Sequence, residues 1–387
     1  MSDRPKLLFL IPHLGGGGAE QVTRLLVQNL DPKRYELHLG LVTGTSAGLP
    51  PMPAGASIHA LGASRVRTGT RKILGLVRRL KPDLIVSGMA HLNFVVLALR
   101  PLFPRRTRVL LRQNATVSAA LGFGALPWYT GSLYRLLYPR ADCVICQTNA
   151  MARDLAALLG SGSRTIHVPA SLAASARITV VPNPVDVDRI RAEVGESNSL
   201  WEGPGPHLLA VGRLSLEKGH DLLLRAFFQL RQHFPLADLT IVGKGPEMAN
   251  LRSLAIELGL SPAVRFTGPV DSPAAFFSGA TAFVLSSRHE GLPNALLEAA
   301  AAGLPIVALP SSQGVAELLA GQPGVWIANT ISSEALSGTL ITALQQLQTG
   351  QRFSHAFIDQ FRLERSLSAY QRLIDSELTG SHAGRPL

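Results

Sequence analysis

Two carboxylates and two cations carry most of the chemistry open to this 387-residue chain. Glu290 and Glu298 lie in the stretch Phe283–Ala308, which reads FVLSSRHEGLPNALLEAAAAGLPIVA. A carboxylate repels phosphate but accepts hydrogen bonds from hydroxyls. Glu298 therefore suits a ribose and Glu290 a second sugar. Arg213 and Lys218 lie in Gly212–Gly219, GRLSLEKG, and are the cations available for a diphosphate. Four glycines, Gly15–Gly18, run into a helix expected from about Ala19. Free N–H groups and the positive end of the helix dipole make such a junction a phosphate-type site.

These residues need elements to hold them. Ala282–Leu285 is an apolar run of strand length, followed by a loop that carries Glu290 and Gly291. Pro293 suits the first turn of a helix, where its missing N–H costs nothing. Asn294–Ala302 is rich in Ala, Leu and Glu, and Gly303 is a natural stop before a second strand at Pro305–Leu309. Gly291, Leu292, Pro293 and Asn294 thus form a loop-to-helix junction where an anion would sit with one carboxylate on either side. Further apolar strands at His207–Val211, Leu239–Val242 and Val264–Phe266 each end in a polar or glycine-rich loop. Parallel sheets bind ligands at these carboxyl ends. The first half repeats the pattern at Lys6–Ile11, Leu37–Thr43, Pro82–Ser87, Arg108–Leu111 and Ala141–Gln147.

The pattern E-G-x-P-N-x-x-x-E, followed by small residues and Gly-x-Pro, resembles the signature of glycosyltransferase family 4. The G-R-L-x-x-x-K-G loop and the segment ITVVPNPVD at Ile178–Asp186 match it too. This resemblance implies an α/β fold of two doubly wound, Rossmann-like domains facing each other across a cleft, the GT-B architecture. It divides the chain into an acceptor-side domain, 1–186, a linker, 187–206, and a nucleotide-sugar domain, 207–354. A helix over 355–378 is then expected to cross back to the first domain. It also implies transfer of a sugar from a UDP or GDP sugar, with retention of configuration, to a glycan or polyprenyl-linked acceptor. Arg213, Lys218 and Glu290 become the catalytic residues. The donor is expected on Gly16, Gly17, Gly18, Arg213, Lys218, Gly268, Val270, Glu290, Gly291, Leu292, Pro293, Asn294 and Glu298, with Gly268 and Val270 near the base. The departing phosphate takes the acceptor's proton, and neither metal nor cofactor is expected. Relatives often place a His just after the strand Arg108–Leu111, where this chain has Gln113.

Composition narrows the classes. With 46% hydrophobic and 16% charged residues, the chain is globular rather than disordered. No apolar run approaches the ~20 residues of a spanning helix, and Leu7–Ile11 lacks a cleavage-site pattern, so a cytoplasmic location is expected. The net charge of +11 is unevenly spread: residues 1–186 hold 22 Lys and Arg against 8 Asp and Glu, the remainder 15 against 18. Arg65–Lys81 has seven cations and no acid. Trp128, Tyr129, Tyr134 and Tyr138 interleave with Arg135 and Arg140, which suits a membrane interface, a lipid acceptor cleft or an amphipathic helix packed on the core. The basic excess itself fits docking on an anionic membrane surface at the inner face. No nucleic-acid motif accompanies the charge. Cys143 and Cys146 are too few for zinc and read as core residues. A nicotinamide-dependent oxidoreductase is an alternative, but Glu20 stands where the third glycine of G-x-G-x-x-G belongs. A second is a non-enzymatic binding protein on a decayed GT-B fold, against which Arg213, Lys218, Glu290 and Glu298 stand intact. Ser161–Ala176 reads as a surface loop.

Overall fold

A computed structural model describes residues 4–15, 17–44, 55–122, 127, 129–160, 178–198, 200–270 and 272–380. Gly16, Trp128 and the stretch 161–176 lie outside them. The chain divides into two compact units. One comprises the residues up to Pro184 and those from Glu364 onward; the other runs from Val185 to Leu363.

Among the described residues of the first unit, seven strands form one parallel sheet: β1 (Lys6–Ile11), β2 (Glu36–Leu41), β3 (Ser57–Ala60), β4 (Leu84–Gly88), β5 (Arg108–Arg112), β6 (Cys143–Cys146) and β7 (Ile178–Val180). Their order is β3-β2-β1-β4-β5-β6-β7. The inner strands are apolar on both faces because helices cover both sides. Alternate residues serve opposite cores: Cys146 joins Leu8, Leu10 and Ile85, while Cys143 joins Leu7, Phe9 and Leu37. Both thiols are buried and unbridged. Burial pushes Cys143 far up and Cys146 to about 12, which leaves both inert, as core cysteines are expected to be.

The second unit holds β8 (His207–Val211), β9 (Asp238–Val242), β10 (Val264–Gly268), β11 (Ala282–Leu285), β12 (Ile306–Ala308) and β13 (Val325–Ile327). These pair in parallel in the order β10-β9-β8-β11-β12-β13. Both sheets are therefore doubly wound, in agreement with the fold class read from the sequence. In each, chain order reverses at one gap, between β1 and β4 and between β8 and β11. Ligands of open α/β sheets bind at such gaps, beyond the carboxyl ends of the strands.

Two readings change, and for the aromatic segment the core alternative holds. The stretch 187–206 is not all linker: Val187–Glu196 is a helix capped by Asp186, whose side chain accepts from Arg189 N. Val187 and Ile190 are buried in the second unit's core, because they fall one turn apart on one face. Tyr134 and Tyr138 are 1% exposed and meet Phe94 edge-on, at 5.0 and 6.0 Å between ring centroids. Of the described rings in that segment only Tyr129 faces outward. Gln113 is likewise a core amide. It donates from Nε2 to Ala115 O at 2.8 Å and accepts from Tyr138 Oη at 2.8 Å.

Candidate functional site

The gap between β8 and β11 gathers the cations and one of the carboxylates. β8 ends at Val211, and the next residues form a tight loop whose last turn is Leu216–Lys218. β11 ends at Leu285, and its loop leads to the helix Asn294–Ala301. These two loops are stitched together. Arg288 N donates to Glu217 O at 2.8 Å, and Ser286 Oγ donates to Lys218 O at 2.9 Å. The Arg288 guanidinium grips both oxygens of Asp221 at 2.6 Å and donates to Leu216 O. Burial pushes the Asp221 carboxyl up, yet the Arg288 pair outweighs it and holds the group low. Arg288 is raised in return by the same hydrogen bonds.

Glycines make the close approach possible. Gly219 has φ 63°, and a Cβ there would run into the Ser286 carbonyl. Gly243, at φ 145°, lies against the Gly212 carbonyl, and Gly245 against that of Leu214. Gly243 N donates to Gly268 O at 2.9 Å. A chain of backbone contacts thus links the ends of β10, β9 and β8 and carries Gly268 into the group. Val270, just beyond, is 38% exposed.

Within this frame Lys218 Nζ meets Glu290 Oε1 at 2.5 Å, and Ser287 Oγ donates to the same oxygen at 2.7 Å. Glu290 N donates to Ser311 O, which fixes the loop from its other side. Arg213 is exposed. Glu217 is pushed up by burial, but Ser215, the backbone and the charges of Arg213 and Lys218 bring it below the usual carboxylate range. The helix Asn294–Ala301 begins after Pro293, which offers no side-chain cap. A helix start of this kind is where anions bind, through backbone N–H groups and the positive end of the dipole. Gly291 and Leu292 are buried at that entrance, Asn294 opens the helix, and Glu298 is half-buried in its second turn. Beneath the Gly212–Gly219 loop lies His220, 4% exposed. Burial, and secondarily Lys218, push its imidazole down to about 4, so it is neutral at pH 7.

The described glycines Gly15, Gly17 and Gly18 follow β1, which borders the other gap, between β1 and β4. Gly17 precedes the helix Gly18–Asn29, again without a side-chain cap. Gly15 N donates to His13 Nδ1 at 3.1 Å, and that nitrogen lies 3.7 Å from Glu20 Oε1. Met89, at the end of β4, has φ 80°, a strained value for a residue with a side chain. His91 follows, its imidazole lowered by burial and then by His13. Sequence reading singled out none of His13, Glu20, Ser287, Asp221 or Arg288 as site residues. For Arg288 and Asp221 the available signal was a cation and an acid just after two glycine-containing strand ends. Among the described residues no cluster of His, Cys, Asp and Glu has metal-holding geometry.

Known proteins resemble the chain in both units. Residues 17–184 match the family described as "Glycosyl transferase 4-like domain", and residues 196–358 match "Glycosyl transferases group 1". A lipopolysaccharide core biosynthesis glycosyltransferase of Rhizobium meliloti is 30% identical over 63% of this chain and 67% of its own. An N-acetylgalactosamine-N,N'-diacetylbacillosaminyl-diphospho-undecaprenol 4-alpha-N-acetylgalactosaminyltransferase of Campylobacter jejuni is 27% identical over 81% and 83%. The solved structure of Anabaena HepE in complex with UDP and glucose superposes with a TM-score of 0.72 at 16% identity, covering 96% of this chain and all of that one. An oxidoreductase is not favoured, since Glu20 breaks the dinucleotide fingerprint and the β2 end offers no acid. On the two family matches, the Rhizobium relative and the paired doubly wound sheets, the chain belongs to the GT-B glycosyltransferases.

Proposed function

We propose that this glycosyltransferase takes its sugar from a UDP or GDP sugar and passes it, with retention of configuration, to a glycan or polyprenyl-linked acceptor. One observation carries the reading. Lys218, Arg213, Glu290 and the uncapped start of the Asn294–Ala301 helix converge on one gap of the second sheet. Arg213, Lys218 and the helix N–H groups supply positive potential where charge develops on the departing diphosphate. No metal is needed in this reading, because those groups play its electrostatic part. The bond from the anomeric carbon to the phosphate oxygen breaks as the acceptor oxygen bonds on the same face. The acceptor's proton passes to the leaving phosphate. Glu290 accepts from hydroxyls of the transferred sugar and Glu298 from the ribose. Gly268 and Val270 border the base.

Two relatives support the finer points. HepE holds UDP and glucose, and the Campylobacter enzyme's name specifies a diphospho-undecaprenol substrate. The positive excess of residues 1–186 suits an acceptor at an anionic lipid surface, which for a cytoplasmic enzyme is the inner face of the membrane. Among the described residues no helix is long and apolar enough to cross a membrane. A thermal-shift and calorimetric screen against UDP, GDP, ADP and their sugars tests the donor. Stabilisation by UDP or GDP and their sugars, with an anomeric product signal of unchanged configuration, is the expected result. Inversion at the anomeric carbon refutes the stereochemical claim.

A further inference from the structure

Lys218 stands in the site already neutralised. Its ammonium is 2.5 Å from Glu290 Oε1, with the two side chains 23% and 10% exposed. The contact is built in, not incidental. Ser287 Oγ holds the same carboxylate oxygen. The backbones on either side are tied through Arg288 N to Glu217 O and Ser286 Oγ to Lys218 O. Pairs at open surfaces contribute little, but a shielded pair strongly resists losing one partner.

A bare nucleoside diphosphate and a nucleotide sugar meet this pair differently. Drawing Lys218 towards phosphate takes from Glu290 its counter-ion. With a diphosphate alone, a shielded carboxylate is left beside two further anions, which is unfavourable. With a nucleotide sugar, hydroxyls arrive together with the phosphates and donate to the carboxylate as the ammonium leaves it. We propose that Glu290 is an exchangeable counter-ion of Lys218, holding down affinity for the released nucleoside diphosphate while sparing the nucleotide sugar, so that the site discriminates donor from product. The inference rests on the reading that Lys218 contacts the diphosphate and Glu290 the transferred sugar.

Glu290→Gln tests it, because the amide keeps the shape and still accepts from Ser287 without the charge. Calorimetry on the full chain would use UDP, GDP, UDP-glucose and GDP-mannose. The variant should bind the nucleoside diphosphate roughly tenfold more tightly, the scale of one charged hydrogen bond released, and the sugar nucleotide by clearly less. An unfolded variant cannot bind more tightly, and Glu290→Ala removes the same charge if the Gln protein does not fold. In the double variant K218Q/E290Q the gain should vanish, since no ammonium remains to be released. Unchanged or weaker diphosphate binding by folded E290Q overturns the counter-ion role, as does a gain that persists in the double variant. If neither nucleotide binds the wild type, or K218Q leaves their affinity unchanged, the underlying phosphate reading fails and this inference with it.

Discussion

Arg213 and Lys218 serve one leaving group but are held very differently. Arg213 is exposed, with its charge acting on Glu217, whereas Lys218 is paired with Glu290. Replacing either with Ala should lower kcat by ~10²–10³, the scale for losing one preorganised donor to a developing anion. Steady-state kinetics at saturating donor would show it, and near-normal turnover in both variants would place the diphosphate elsewhere. Glu298→Ala should instead weaken binding of the free nucleoside diphosphate by roughly tenfold, since it removes a charged acceptor for ribose hydroxyls. Titration calorimetry separates this from Glu290, whose loss should damage transfer. The types of these residues were legible in the sequence because strand ends and glycines flank them. Their pairing was not: Lys218 and Glu290 are 72 positions apart, and only the adjacency of β8 and β11 brings them together. Gln113 shows the reverse failure. Its position after β5 suggested a site, yet Tyr134 and Tyr138 claim its amide for the core.

At the scale of elements, the loop after β8 depends on backbone approach that only glycine permits. Gly219→Ala adds a Cβ at φ 63° directly against the Ser286 carbonyl. Strain of that kind costs about 1–3 kcal/mol. The variant should melt earlier and lose donor affinity together, because Lys218 is displaced with the loop; a change in neither would show that the loop tolerates the shift. His220, the first residue of the helix His220–Leu230, adds a pH dependence. The folded protein keeps its imidazole neutral down to about 4, against an ordinary value of 6.5. Between those values the unfolded chain binds the extra proton, so stability falls as pH drops from 6.5 towards 4, by at most about 1.4 kcal/mol per pH unit. Melting temperatures across pH 7 to 4.5 should decline less steeply for His220→Phe. Lys218, Glu217 and Asp221 surround the ring, and both acids are held below the usual carboxylate range. Most strands were visible as continuous apolar runs. The helix Val187–Glu196 was hidden because a Gly-, Ser- and Pro-rich stretch follows it at once, and the eye assigns both to a linker.

For the molecule as a whole, the charge partition is its broadest feature. Helix Thr70–Leu80 buries Ile73, Leu76 and Val77 and leaves Arg71, Arg78 and Arg79 exposed, while Lys72 donates to the carbonyls of Leu61 and Gly62. An anionic leaflet attracts such a face by about 1 kcal/mol per cation. Sedimentation with vesicles rich in anionic lipid should therefore pull the protein down at low salt, less so with those three arginines changed to Ser. Equal recovery with neutral vesicles would leave the charge a steering role only. The sequence made the charge plain but left the aromatic rings between a membrane and the core, and two of the four belong to the core.

The path of the chain between its two units has a different consequence. The helix Leu363–Thr379 returns to the first unit, where Tyr370, Leu373 and Ile374 pack with Leu7, Phe9 and Leu110. Tyr370 Oη also accepts from the buried Arg112 guanidinium at 2.8 Å, which Asn183 holds on its other side at 2.8 Å. One sheet thus needs residues from both sides of the interval 185–363. During synthesis at ~5–20 residues per second, the first sheet waits on the order of ten to thirty seconds with that core face open. The second unit carries its own core in one uninterrupted stretch and meets no such delay. The nascent chain is therefore set to complete its later-made unit first and its earlier-made one last, and a ribosome that stops at Leu363 releases a buried arginine stripped of its tyrosine.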